Sequence, residues 1–421
     1  MESNLMLEGM RIVSFCHWLQ GPAALQYLAD LGADVVRVEP PQGGFERRWS
    51  GAGKHLAGVS TLYLAANRNV RSIAVDLKDP RGVDVAWRLI AQANVVAENF
   101  RPGVLNRIGL GYEAVRARHP GIIYASASGY GDGPLRDRPG QDLLLQARAG
   151  IVAATGESTN PTPIGNAAVD QHGATLFALG ILAAYVRQRR SGEGCRVESS
   201  LYTAALDLIS EALTHYASGG HTRGIFVRER HLANWYNEAP YGVYELADCH
   251  VAISLNDPAE LAAALNDDAL AALSEVDRFT RRDEYAAALA RALQGRRYAD
   301  VEAAFERHGI WYERVRDFDD VLTDPQAAYA EVFRRVPVRD AQATLVNHPI
   351  RYDGASPPLR HLSIDPGEDT RDVLREAGYV EKEIEELVAA RVVIAADRSG
   401  RQPRLDAHLS GTAAQSHGAE P

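Results

Sequence analysis

Apolar residues in the N-terminal half of the chain fall into short runs, set between stretches with helical spacing. MRIVSF at 10–15 is one such run, and DVVRVEPP at 34–41 is a second, stopped by its prolines. Between them, AALQYLADLGA at 23–33 repeats apolar residues three and four apart, with Gly32 placed to end a helix. Strand, helix and strand make a unit of about 30 residues, for which parallel pairing and a right-handed crossover are expected. The alternation continues with a strand at 71–77, a helix at 79–93, a strand at 94–100, a helix at 112–118 and a strand at 121–130. This pattern predicts an α/β layered domain. From Ala174, ATLFALGILAAY is apolar and rich in helix formers, enough for three turns.

From 195 the pattern changes. CRVESSLYTAALDLISEALTHYA at 195–217 reads as a long amphipathic helix or a helix pair, and SGGHTRG at 218–224 as a linker. YGVYELADCHVAISL at 241–255 alternates like a hairpin about Ala247 and Asp248, and 258–333 is Ala-rich, charged and mostly helical. These shifts divide the chain into a large domain at 1–224, a small α+β domain at 225–335 and a C-terminal part at 336–396. The loop-like HPIRYDGASPPLR (348–360) and a helical stretch at 369–393 fall in that last part. Residues 397–421 are polar and aperiodic, and a disordered tail is expected there.

Composition narrows the function classes. The 421 residues carry 45 basic and 55 acidic side chains, a net charge of −10, which argues against a nucleic-acid partner. Cys16, Cys195 and Cys249 are too few and too scattered for a zinc cluster or redox pair, and suit a reducing compartment. The N-terminus does not read as a signal peptide, and the apolar run at 174–186 is too short to span a bilayer. A cytoplasmic protein without a membrane partner is expected.

Candidate chemistry is sparse. Glu39 ends the second strand, where an acid often holds a ribose, but the turn CHWLQGP has one glycine and lacks the dinucleotide fingerprint. The plainer alternative is a fold-building unit with an exposed glutamate. Arg47, Arg48, Lys78, Arg101 and Arg107 recur near strand ends, where several cations could hold a polyphosphate. His17, His172, His231 and His250 lack metal-ligand spacing, so no metal is expected. Cys16 and His17 are neighbours on a strand and face opposite ways, a poor nucleophile–base pair. Asp170 remains. It stands just ahead of the apolar helix, where aspartate is a preferred N-cap. The same helix end favours the anion, and an ionised carboxylate in a dry cleft can be a covalent nucleophile. Spacing alone leaves both roles open.

Several colinear stretches together resemble the family III CoA-transferases, the group of formyl-CoA transferase, carnitine CoA-transferase and α-methylacyl-CoA racemase. They include LADLGADVVRVEPP, NRNVRSIAVDLKDPRG, ENFRPGV, IIYASASGYGDGPLRDRPGQD and AAVDQHGATLFALGILAAY, and extend to about residue 393. The resemblance implies a Rossmann-like large domain without the dinucleotide fingerprint, rejoined by the C-terminal part, and an interlocked homodimer. It implies that Asp170 attacks an acyl-CoA thioester, with acyl–aspartyl anhydride and aspartyl–CoA thioester intermediates. His17, Leu19, Gln20, Lys78, Asn99, Phe100, Arg101 and Arg107 fall where family members bind CoA, which is a substrate; no tightly bound cofactor is implied. The other partner is a carboxylic acid.

The chain departs from formyl-CoA transferase at Pro40, Leu19 and Asp142, where that enzyme has arginine, glutamine and glutamate, and lacks its Gly-rich loop around 225–262. Formate and oxalate exchange is therefore not expected. The alternative is a 2-methylacyl-CoA racemase acting by α-proton exchange. Racemases carry a histidine base at the position of Gln141, and a glutamine cannot take that proton. His172, two residues past Asp170, keeps the alternative open. Gln141 and Asp142, with Tyr236, Asn237 and Tyr241 of the small domain, are candidates to line the acid site; for the last three, packing on the hairpin is the simpler role.

Overall fold

The computed structural model describes residues 5–157 and 159–396. The expected tail at 397–421 lies outside the described residues.

The predicted apolar runs pair into one sheet. Its strands are β1 (Arg11–Phe15), β2 (Asp34–Glu39), β3 (Val70–Val75), β4 (Val95–Glu98), β5 (Ile123–Ser128) and β6 (Cys195–Ser200). They lie in the order β6-β5-β4-β1-β2-β3, all parallel, with Ile12 of β1 opposite Val35 on one side and Val95 on the other. A short strand, Val393–Ile394, adds antiparallel to β3 at the edge. The chain thus builds outward from β1 through β2 and β3, then returns to the other side of β1 for β4, β5 and β6. That reversal is a doubly wound topology with its switch point between β1 and β4.

Both faces of the sheet are covered, which is why its inner strands carry apolar runs rather than a strict alternation. On one face, Leu25 and Leu28 of helix α1 (Gln20–Asp30) share a core with Ala174, Phe177 and Ile181. On the other, Val85, Leu89 and Ile90 of helix α2 (Pro80–Ile90) pack with Val115, Leu374 and Leu387. Asp79 caps α2 by accepting the Arg81 amide, and Pro80 occupies its first turn, where a missing N–H does no harm.

One expectation fails locally. Residues 195–200 form β6, and the helices begin only afterwards, as Leu201–Leu208 and Ser210–Ser218. CRVESS is short and charged at alternate positions, so it suits an edge strand paired on one side with β5. The long helix expected at 369–393 is likewise two, Thr370–Glu376 and Glu381–Ala389, separated at Gly378, whose φ is +87°.

The chain divides into two compact units. Among the described residues, the larger takes those up to Gly140, Asp170–Ala204 and 325–396; the smaller takes Gln141–Val169 and Ala205–Asp324. The limits expected at 225 and 335 therefore fall differently, because 205–224 groups with the smaller unit and 325–335 with the larger. The smaller unit has its own core. Strands Gly242–Glu245, His250–Ile253 and Tyr312–Arg314 form an antiparallel sheet, with the expected hairpin at its start. Tyr244, Val251, Leu261, Tyr285, Leu289 and Phe305 are buried together between that sheet and its helices. Among the described residues, no helix is long and apolar enough to cross a membrane.

Candidate active site

All six parallel strands end at the same edge of the sheet, and that edge collects the candidate residues. His17 follows β1, Lys78 follows β3, and Asn99, Phe100 and Arg101 follow β4. The loops after β1 and β4 meet at the switch point, the usual ligand position in open α/β sheets.

These two loops are clasped by Asn99. Its side-chain Oδ1 accepts the His17 amide at 2.7 Å, and its Nδ2 donates to the His17 carbonyl at 2.8 Å. The His17 ring then meets Phe100 edge-on, with centroids 4.4 Å apart. Asn99, expected at CoA, thus spends its amide on holding the turn. Burial, helped by the nearby Arg37 charge, pushes the His17 pKa down to about 4. The ring is neutral near pH 7 and its buried Nε2 has no partner. Trp18 follows in a left-handed backbone conformation, φ +62°, which is uncommon for a non-glycine residue. Its exposed ring leans on Phe45, 4.6 Å away between centroids. Leu19 packs into the apolar core beside α1.

Of the expected cations, Lys78, Arg101 and Arg107 are exposed. Lys78 lies two strands from β1, a lateral distance of about 10 Å at sheet spacing. Arg47 is different. It is buried, and Glu39 takes its Nε and Nη2 at 2.7 Å each. That pairing removes Arg47 from any phosphate site. It also corrects the picture of Glu39, which is neither a ribose ligand nor exposed. Burial alone would raise the Glu39 pKa, but Arg47 and Arg37 outweigh it and hold it at about 2. Cys16 is buried and its thiol is pushed up to about 12 by burial, so it is inert.

Beside the ends of β4, β5 and β6 opens a cleft of about 630 Å³. Its lining includes Phe100 and Arg101 of the expected set, with Glu98, Tyr124, Arg136 and Arg196. Burial raises the Glu98 pKa above its ordinary value, although its carboxylate accepts the Phe100 amide at 2.9 Å. Glu98 was not singled out in the sequence; only its place at a strand end, two residues before Phe100, could have flagged it. His17, Gln20, Lys78, Arg107 and Asp170 lie outside that lining.

Asp170 does not stand ahead of the apolar helix. The helix runs Ala168–Ser191, six residues earlier than the apolar run suggests, and Asp170 lies within its first turn. The amide of Val169 is instead taken by Asp142, whose Oδ2 accepts it at 2.8 Å. Gln146 bonds both Asp142 and the Asn166 carbonyl, tying down the approach to the helix. Asp142, expected at the acid site, thus has a structural task in the smaller unit. Gln141 is exposed, at the N-cap of helix Asp142–Ala149. The half-buried Asp170 carboxylate sits at the positive end of a 24-residue helix. His172 is two residues on, about 200° around the helix axis, so it faces away from the side Asp170 presents.

Gln20 reaches the same helix. A Cβ placed on Gly173 would lie 2.7 Å from the Gln20 Nε2, so the glycine is what admits the amide. This contact carries the turn after β1 to the start of the Asp170 helix, within the larger unit. Tyr236, Asn237 and Tyr241 belong to the smaller unit. The Tyr236 hydroxyl donates to Glu211 at 3.4 Å and its ring stacks on His215, while the Asn237 amide donates to Asn234 Oδ1 at 2.8 Å. Among the described residues, no group of three or more His, Cys, Asp or Glu is placed to hold a metal ion.

Known proteins resemble this chain over most of its length. The model of CoA-transferase family III matches residues 7–370. The succinyl-CoA:glutarate CoA-transferase of Mus musculus is 31% identical, over 93% of this chain and 91% of its own. The acetyl-CoA:oxalate CoA-transferase of Acetobacter aceti is 29% identical, over 83% of this chain and 90% of its own. A crystal structure of a CaiB/BaiF family protein from Brucella suis superposes with a TM-score of 0.76 at 28% identity, covering 89% of this chain and all of that one.

Proposed function

This chain belongs to CoA-transferase family III, and from that premise we propose a covalent mechanism on Asp170. The enzyme is an acyl-CoA:carboxylate CoA-transferase, moving CoA between a thioester and a free acid. An Asp170 oxygen attacks the thioester carbonyl carbon, the C–S bond breaks, and CoA thiolate leaves behind an acyl–aspartyl anhydride. The thiolate then attacks the aspartyl carbonyl carbon and expels the donor acid, giving an aspartyl–CoA thioester. The acceptor carboxylate attacks that thioester, forming a second anhydride and freeing the thiolate. Attack of the thiolate on the acceptor acyl carbon completes the new acyl-CoA and restores Asp170. Each step exchanges one acyl bond for another, with no net oxidation and no proton demand.

The observation that carries this reading is the contact of Gln20 with Gly173, one turn from Asp170. It ties the nucleophile's helix to the switch-point turn where a thioester would approach. α-Proton exchange finds no support at the same place, because Gln141 is no base and His172 faces away. The relatives act, by their names, on glutarate and oxalate, so dicarboxylates are the first acceptors to try. The exposed Lys78, Arg101 and Arg107 would meet the phosphates of CoA. We place the enzyme in the cytoplasm, in keeping with its three free thiols.

Trapping tests the mechanism. With succinyl-CoA added, hydroxylamine should leave a hydroxamate at Asp170, read by mass spectrometry. Asp170→Ala should lose both the adduct and turnover while still binding CoA. An Asp170→Ala enzyme as active as wild type would sink the proposal.

A further inference from the structure

Gln20 opens helix α1 and is only 4% exposed, yet its side-chain Nε2 has no hydrogen-bond partner. Leaving a buried amide donor unpaired is costly, so such a group in a folded enzyme calls for a role. The amide is held in place. It lies where a side chain at Gly173 would be, and Ala204 closes the same spot from another side. Residues three apart on a helix share a face, with Cβ atoms about 5–6 Å apart. The unpaired N–H therefore sits one turn from Asp170, on the face that carries its carboxylate. A second orphan, the Nε2 of His17, belongs to the same turn.

We propose that Gln20 is a catalytic residue, whose side-chain N–H donates to the oxyanion formed when Asp170 and the thioester react. This deepens the covalent reading and rests on it. Attack of the Asp170 oxygen converts the thioester C=O to C–O⁻, and the Gln20 N–H hydrogen-bonds that oxygen. When the C–S bond breaks, the carbonyl reforms and the thiolate carries away the charge. The donor is neutral and gives up no proton. It is positioned before substrate arrives, which is the condition under which such donors lower a barrier most. The ground-state carbonyl bonds it less strongly, so the effect belongs in kcat rather than in CoA affinity.

Gln20→Met keeps the length of the side chain and removes the N–H. With succinyl-CoA as donor, Asp170 adduct formation followed by rapid quench and mass spectrometry should slow by about 10²–10³-fold. The Kd for CoA and the melting temperature should stay near those of wild type. Gly173→Ala, which puts a methyl group where the amide lies, should slow the same step. A wild-type adduct formed no faster than that of Gln20→Met overturns the role of Gln20 alone. So does a loss of CoA affinity that accounts for the whole rate change. Wild-type enzyme that forms no adduct at all overturns the covalent reading beneath it.

Discussion

Asn99 and His17 show how little chemistry is visible in a residue type. Both are polar, both sit at strand ends, and both resemble CoA ligands in sequence. Asn99 uses its whole amide on the His17 backbone, while His17 keeps a buried nitrogen in reserve. The charge state of His17 follows from its surroundings. Burial first, and then Arg37, take its pKa from 6.5 to about 4. Between those values the unfolded chain holds a proton that the folded one does not. The stabilising contribution of a neutral His17 is therefore complete above the unfolded value and is lost as pH falls through that window. Ring nitrogen shifts in NMR should show His17 neutral down to about pH 5, and a ring that titrates near its ordinary value would contradict the burial argument.

The end of β2 is held by a buried ion network that reaches across the larger unit. Arg47 pairs with Glu39, bonds the Tyr63 hydroxyl at 2.7 Å and donates to the Ile364 carbonyl at 2.6 Å. One side chain thus ties the first half of the chain to its C-terminal return. Breaking such a pair leaves a charge buried without compensation, which costs about 3–5 kcal/mol. Arg47→Ala should lose about that much in urea unfolding, whereas the exposed neighbour Arg48→Ala should change stability by less than about 0.5 kcal/mol. Similar losses for both would mean that Glu39 finds other partners. Acid adds a second probe of the same element. Glu39 is held at about 2, below its unfolded value, so its contribution is present above the ordinary carboxylate range and fades as pH drops toward 2.

For the whole molecule we expect a homodimer. Leu179 and Val186, seven residues apart on one face of the Ala168–Ser191 helix, are 61% and 47% exposed. An apolar stripe left open on a long helix is the kind of surface a partner covers. Light scattering should give twice the 45.8 kDa chain mass, and Leu179→Glu with Val186→Glu should shift it toward the monomer. A monomeric wild type would refute the expectation.

The sheet itself could be read from the chain, because the alternation of apolar runs and helical spacing is local and burial on two faces demands it. Strand ends, and hence the list of residues facing the ligand edge, came with it. The helix at 168 and the strand at 195 could not be read that way. The first depends on Asp142 taking the Val169 amide, and the second on β5 offering an open edge. The site is of the same kind: His17 meets Asn99, and Gln20 meets Gly173, only once β1 lies beside β4 with the Asp170 helix packed over α1. Residue pattern sets what each segment prefers, because that preference rests on its own period. Which polar groups are satisfied, and which are left unpaired, depends on neighbours far away in the chain, so only packing settles it.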